Sequence, residues 1–198
     1  MAYNPSFEEL LQRVAARLDP VDLAKVPTEP GVTHAAVTLF LRPAGGSAEI
    51  LFIKRAERDG DPWSGHIAFP GGRAEKWDDS LLDLAMREAS EEVGIDAREG
   101  GRLLGRLPTF RPLSTRIPSV SVAPFVALAP PNAVPRLQPE EVREAFWMSI
   151  VELKRTGRSA MVRWEDGDGA REMPAFPSPQ GPIWGITERI LSQFLALV

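Results

Sequence analysis

Apolar positions recur along this chain with two periods, and their alternation lays out helices around a sheet. Phe7, Leu10, Leu11, Val14 and Leu18 share one helical stripe, and Ser6 suits the N-cap, so a first helix is expected over about 5–18. Thr33–Arg42 and Glu49–Arg55 are apolar runs with β-branched members, separated by the turn-forming Pro43-Ala44-Gly45-Gly46-Ser47. Such runs predict two buried strands joined as a hairpin. A short strand over His66–Phe69 leads into a turn at Pro70-Gly71-Gly72. Leu82, Ala85, Met86, Ala89 and Val93 then fall on one face of a second helix, started at Asp78 or Asp79 with Ser80 and stopped by Gly94.

Strands are expected over Arg102–Thr109, Ser119–Leu128 and Glu141–Met148, with a short helix over Ser149–Thr156 begun by Ser149. Short strands fit Ala160–Trp164 and Glu172–Phe176, and a closing helix over about 184–198 carries Ile186, Ile190, Leu191 and Phe194 on one stripe. Asp19–Gly31, Arg58–Gly65, Phe110–Pro118 and Pro130–Pro139 read as connections because proline, glycine or polar residues interrupt both periods. No repeat and no clean boundary divides the chain. The expectation is a single domain over 1–198, α+β or mixed α/β, with helices covering a sheet.

The polar side of the second helix changes the picture. Arg87-Glu88-Ala89-Ser90-Glu91-Glu92-Val93-Gly94-Ile95 places Glu88 beside Glu91 at i+3 and Glu92 at i+4. Like charges at those spacings repel, and a divalent cation relieves them. Hard ions such as Mg²⁺ or Mn²⁺ prefer oxygen donors. The alternative is an acidic face that is simply solvated. The apolar face behind the acids favours fixed ligands, and the Gly71-Gly72 backbone is free to approach a ligand or the helix closely.

Composition narrows the partners. The chain has 198 residues, 43% of them hydrophobic, which suffices for a core. A net charge of −4 leaves no basic footprint for nucleic acid, so an anionic substrate needs local cations. The absence of cysteine removes disulfide and thiol chemistry and fits a reducing, cytoplasmic setting. No apolar run reaches membrane-spanning length, so no membrane partner is expected. A homodimer is compatible with the composition.

The segment from Arg87 to Ile95 resembles the Nudix box, the signature of the Nudix hydrolases. Arg87, Glu88, Glu91, Glu92, Gly94 and Ile95 match its second half, with Ala89 standing at an aliphatic position. The first half, within a box of about 71–95, departs from the pattern. Arg73 stands where the box has glycine and Asp79 where it has glutamate, with Gly72 one residue early, so Glu75, Asp78 or Asp79 is left to serve for that glutamate. Upstream, Leu51-Phe52-Ile53-Lys54-Arg55-Ala56, Gly65 and Phe69-Pro70-Gly71-Gly72 resemble the coenzyme A pyrophosphatase branch, as does Trp184-Gly185 before the last helix. Ile53 replaces an expected threonine, and Arg58 is shifted from the expected second arginine.

The resemblance implies an α/β/α sandwich around a mixed sheet, with the box as a loop–helix–loop. It implies metal-dependent hydrolysis of the diphosphate linkage in a small nucleoside diphosphate derivative. Glu88, Glu91 and Glu92 would bind Mg²⁺ or Mn²⁺, and Arg87 would hold those carboxylates in place. Arg55, Arg58, Gly71 and Gly72 would face the substrate, and Glu141 or Glu140 is the candidate base outside the box. Coenzyme A or an acyl derivative is the leading substrate, giving adenosine 3′,5′-bisphosphate and phosphopantetheine. ADP-ribose, dinucleotides and nucleoside triphosphates are alternatives, and a catalytically silent nucleotide-binding module is the reading from another class. Trp63 suits either stacking on a base or covering its loop, with packing over the loop the preferred reading.

Overall fold

The computed structural model describes residues 6–21, 25–60, 63–112, 119–166 and 169–198. Pro5, Pro62 and Arg116, which the sequence places in the first helix and in two loops, lie outside these residues. The chain runs α1 (Phe7–Ala15), β1 (Thr33–Ala44), β2 (Ser47–Arg55), β3 (Ile67–Ala68), β4 (Gly71–Arg73), α2 (Leu81–Val93), β5 (Arg102–Arg106), β6 (Val120–Leu128), β7 (Val142–Ser149), α3 (Ile150–Thr156), β8 (Ala160–Asp166), β9 (Gly169–Ala175) and α4 (Gly185–Leu195).

Strands β1 to β7 form one mixed sheet, and β8 pairs with β9 in a separate hairpin. β1 is central. It runs parallel to β6 from Thr33 to Leu41, antiparallel to β4 at Ala35–Val37, and antiparallel to β2 at Leu41–Ala44. β7 covers the other edge of β2, and β5 flanks β6.

Side-chain alternation sends Ala36, Phe40, Leu51, Ile53, Ala123 and Phe125 to the face covered by α2. Leu39, Leu41, Ile50, Phe52, Val122 and Val126 point to the opposite face, beneath α1, α3 and α4. Both faces are therefore dry, which is why these strands read as continuous apolar runs rather than alternating ones. The arrangement is the expected helix–sheet–helix sandwich. Among the described residues, no helix is long and apolar enough to cross a membrane.

Several boundaries differ from the sequence expectation, each through a distant partner. α1 stops at Ala15 rather than Leu18, because the backbone of Asp19 pairs with that of Arg106 at 2.9 and 3.0 Å and draws the chain toward β5. Its start follows the expectation: Ser6 Oγ accepts from Glu9 N–H, and the Glu9 carboxylate accepts from Ser6 N–H. The first hairpin turn shrinks to Gly45-Gly46, with Pro43 still paired to Ala48. β5 ends at Arg106 instead of Thr109, after a register shift between Leu103 and Gly105. The β8–β9 hairpin is longer than expected. The main correction concerns Pro70-Gly71-Gly72. Gly71 and Gly72 are not a free turn but belong to β4, hydrogen-bonded against Val37 and Ala36 of the central strand.

Candidate active site

α2 carries the acidic face and is locked at both ends. Ser80 Oγ accepts from Asp83 N–H at 3.1 Å, and Gly94 adopts the left-handed conformation (φ 67°) with its N–H on Ser90 O. Leu82, Leu84, Ala85, Met86, Ala89 and Val93 are buried, so the helix cannot roll on the sheet. At ~100° per residue, Glu92 lies nearest the arc of apolar side chains, Glu88 next and Glu91 furthest. Burial follows that order. Glu92 is 2% exposed, while the side chains of Glu88 and Glu91 are 15% and 54% exposed. The carboxylates share a helix side but not an environment, a gradient the helical angles already contain.

β4 lies against this acidic side. Gly71 N–H donates to Glu92 Oε2 at 2.8 Å. A Cβ at Gly72 would lie 2.4 Å from Glu88 Cδ and 2.5 Å from either carboxylate oxygen, so a side chain there would push that carboxylate from its place against β4. The two glycines thus serve as a backbone wall for the acids.

Arg87 is the hub of the cluster. Its Nε and Nη2 donate to Asp78 Oδ1 and Oδ2 at 2.9 and 3.0 Å. Nη2 also pairs with Glu88 Oε1 and Nη1 with Glu91 Oε2, both at 2.9 Å. Of the three acids available for the missing box glutamate, Asp78 is the one paired with Arg87, and its side chain is 2% exposed. Asp79, the acid in register by counting, is exposed. The Arg87 hydrogen bonds hold the Asp78 carboxyl below the usual range, and Glu75 N–H adds to the effect. Asp78→Ala is expected to free Arg87 and lower turnover about 10- to 100-fold, as loss of a ligand's outer partner does. Steady-state kinetics on the folded variant checks this, and unchanged turnover would remove Asp78 from the positioning network.

The electrostatics single out the buried acids. Burial pushes the Glu92 carboxyl up to about 8, opposed by Gly71 N–H and Arg55 and reinforced by the charges of Glu88 and Glu141. Glu88 is raised for the same first reason, opposed by Arg87 and reinforced by Glu91 and Glu141. Glu141 therefore belongs to the same electrostatic group, from the turn before β7. Arg58 reaches it at 3.8 Å and donates through Nε and Nη2 to the Glu140 carbonyl at 3.0 and 2.5 Å. Glu140 meets Arg58 through its backbone, and its side chain is exposed. Arg55 ends β2 beside a register shift against β7.

Among the described residues, no three acidic or histidine side chains already stand in ligating arrangement, and Arg87 holds two of the box acids. The donor set nevertheless fits a hard divalent cation. It offers carboxylate oxygens only, two of the groups carrying a charge penalised by burial and by neighbouring carboxylates, against a glycine at position 72 where a Cβ would meet the Glu88 carboxylate. Two features escaped the sequence reading. Arg73 stacks over Trp63, 5.0 Å from the ring centroid. His66, Trp164 and Trp184 form one aromatic cluster. No periodicity links such distant positions.

Comparison with known proteins identifies the family and the fold. Residues 32–166 match the model of the NUDIX domain. An uncharacterized protein of Schizosaccharomyces pombe is 39% identical over 107 residues, covering 52% of this chain and 32% of that protein. The chain thus spans only about a third of that relative's length. The mitochondrial coenzyme A diphosphatase of Mus musculus is 28% identical over 193 residues, covering 96% of this chain and 85% of the mouse protein. The crystal structure of a NUDIX hydrolase from Alicyclobacillus acidocaldarius shares the fold with a TM-score of 0.58 at 19% identity, over 86% of this chain and 93% of that one. The family match extends from the start of the central strand, through the capped acidic helix, to the end of β8, and the chain belongs to the Nudix hydrolase family.

Proposed function

We propose that this chain is a divalent-metal-dependent pyrophosphohydrolase that cleaves the diphosphate of coenzyme A or an acyl-coenzyme A. The observation that carries the reading is the buried Glu92 with the half-buried Glu88 beside it, set against the Gly71–Gly72 backbone and sharing their field with Glu141. Glu88, Glu91 and Glu92 are the residues that would hold Mg²⁺ or Mn²⁺. The ion, when bound, neutralises charge that develops on the phosphoryl oxygens.

Arg87, fixed by Asp78, keeps the carboxylates from repelling one another before substrate arrives. Arg55 and Arg58 at the end of β2 suit the phosphates, since guanidinium matches phosphate oxygens in geometry and charge. Glu141 is the better-placed base than Glu140. Its carboxylate would take the proton of a water whose oxygen attacks phosphorus, while the bridging P–O bond breaks and its electrons leave with the departing phosphate. The coenzyme A assignment rests on the branch-like run from Leu51 to Gly72 and on the mouse relative. Lack of cysteine supports a reducing, cytoplasmic setting.

The ion pairs from Arg87 to Glu88 and Glu91 favour a second reading, a nucleotide-binding module without turnover. A substrate panel with Mg²⁺ and Mn²⁺, resolved by chromatography of products, separates the two. The expected products are adenosine 3′,5′-bisphosphate and phosphopantetheine. Cleavage of ADP-ribose, a dinucleotide or a nucleoside triphosphate but not coenzyme A would replace the substrate and keep the chemistry. Nucleotide binding with no product from any compound would establish the silent module.

A further inference from the structure

Three rings from three distant parts of the chain meet next to the strand end that carries Arg55. Trp184 precedes α4, Trp164 lies on β8, and His66 lies immediately before β3. The Trp164 and Trp184 rings are 5.1 Å apart at 47°, the His66 and Trp184 rings 4.6 Å apart at 53°, and the His66 and Trp164 rings meet edge-on at 6.5 Å. The cluster is not sealed into the core. Trp164 is 36% exposed, and His66 and Trp184 are half-buried.

Its position ties it to the phosphate end of the site. His66 O accepts from Arg55 N–H at 3.0 Å, so His66 is the cross-strand neighbour of Arg55. The Arg55 charge in turn acts on Glu92. Next to Arg55 on β2, Lys54 Nζ donates to Gln180 O at 3.1 Å and pins the segment that leads to Trp184. The cationic end of β2 thus acts on Glu92 through the Arg55 charge and is joined to the ring-bearing segments through Arg55 N–H and Lys54. That sequence of chemistry, metal-binding acids, then guanidinium, then rings, follows the sequence of groups in a nucleotide: diphosphate, sugar phosphate, base.

We infer that Trp164 and Trp184, braced by His66, form the platform on which the heteroaromatic base of the substrate stacks. The inference rests on the proposed function for its substrate class and adds the subsite that recognises the base. Stacking on an aromatic side chain tolerates any base, because each has a π-face. Trp164 belongs to the β8–β9 hairpin, which among the described residues makes no ladder with the main sheet; in this inference its ring is what the hairpin adds to the site.

The test uses the full chain and a ligand pair without any diphosphate to cleave. AMP carries the base, and ribose 5-phosphate lacks it. Titration calorimetry is run on the wild type, on Trp164→Leu, which keeps an apolar contact for Trp184, and on Trp164→Phe, which restores a ring. Trp164→Leu is expected to weaken AMP about tenfold or more, the effect of losing one stacking partner. Trp164→Phe is expected to stay within about threefold of the wild type, and ribose 5-phosphate to bind all three alike. Equal AMP affinity in the wild type and Trp164→Leu overturns the inference, as does no AMP binding to the wild type. Equal loss of both ligands in Trp164→Leu overturns it too, by showing a structural role. The outcome is separable from that of the substrate panel. AMP binding through Trp164 without turnover keeps the platform and rejects the hydrolase. Turnover with Trp164-independent AMP binding does the reverse.

Discussion

Glu92→Gln is expected to abolish metal-dependent turnover and, in the same molecule, to stabilise the metal-free fold at alkaline pH. The first effect follows from removing a charged oxygen donor at the proposed ion, a loss of more than about a hundredfold in turnover. The second follows from linkage. The Glu92 carboxyl stands at about 8 in the folded chain against an ordinary 4.5, chiefly because it is buried. Between those values the folded state holds a proton that the unfolded state has released, so stability falls as pH rises through the window. Below about 4.5 both states are protonated and the penalty is absent. Above about 8 it is complete and amounts to a few kcal/mol.

Glutamine is neutral throughout, and its amide oxygen remains able to accept from Gly71 N–H. Denaturant midpoints in a chelator, for wild type and variant at about pH 5 and about pH 9, should therefore diverge only at the higher pH. A variant that is no more stable than the wild type at about pH 9 would show that Glu92 is not a strained buried carboxylate. The same linkage makes ion binding release a proton from the wild type near neutrality, which unfavourable folding energetics alone would not require.

Gly71→Ala should be the most destabilising single change in the box. Gly71 has φ 151°, and a Cβ there would lie 2.2 Å from Ala36 O, 2.6 Å from Val37 Cα and 2.9 Å from Val37 Cγ1. Two of these atoms are backbone of the central strand, so no side-chain rotation clears them. Either β4 leaves its ladder or β1 shifts within a sheet packed on both faces. A loss above about 3 kcal/mol, or failure to fold, is expected. Gly46→Ala is the matched control. Its φ is also positive at 79°, but nothing lies within 4 Å of the added atom, so the loss should stay near 1 kcal/mol. Urea unfolding compares the two, and similar midpoints would mean that β4 is not held against Val37 as described. Gly71→Ala should also pull the N–H away from Glu92, coupling fold and site at one residue.

The legible parts of this protein are those decided within a few residues. The apolar stripe of α2, its Ser80 and Gly94 caps, and the buried runs of β1, β2 and β6 follow from periodicity and from local hydrogen bonding, and the structure has them where expected. The fit of Pro70-Gly71-Gly72 to a turn failed for an instructive reason. Glycines are equally suited to turns and to close backbone approach, and only the neighbouring strand distinguishes the two. Trp164 carried no signal at all, because its partners lie at positions 66 and 184.

By itself, the sequence determined the helix that bears the acids, the faces of the strands and membership of the family's box, since each depends on spacing along one element. Only the tertiary structure decided that Asp78 rather than Asp79 or Glu75 holds Arg87, that the Gly71 N–H is what the buried Glu92 meets, and that Glu141 rather than Glu140 shares the field of the buried acids. The physical reason is common to all three. Charge state, burial and ion pairing depend on what lies across a gap of a few ångströms, and in a folded sheet those neighbours come from anywhere in the chain.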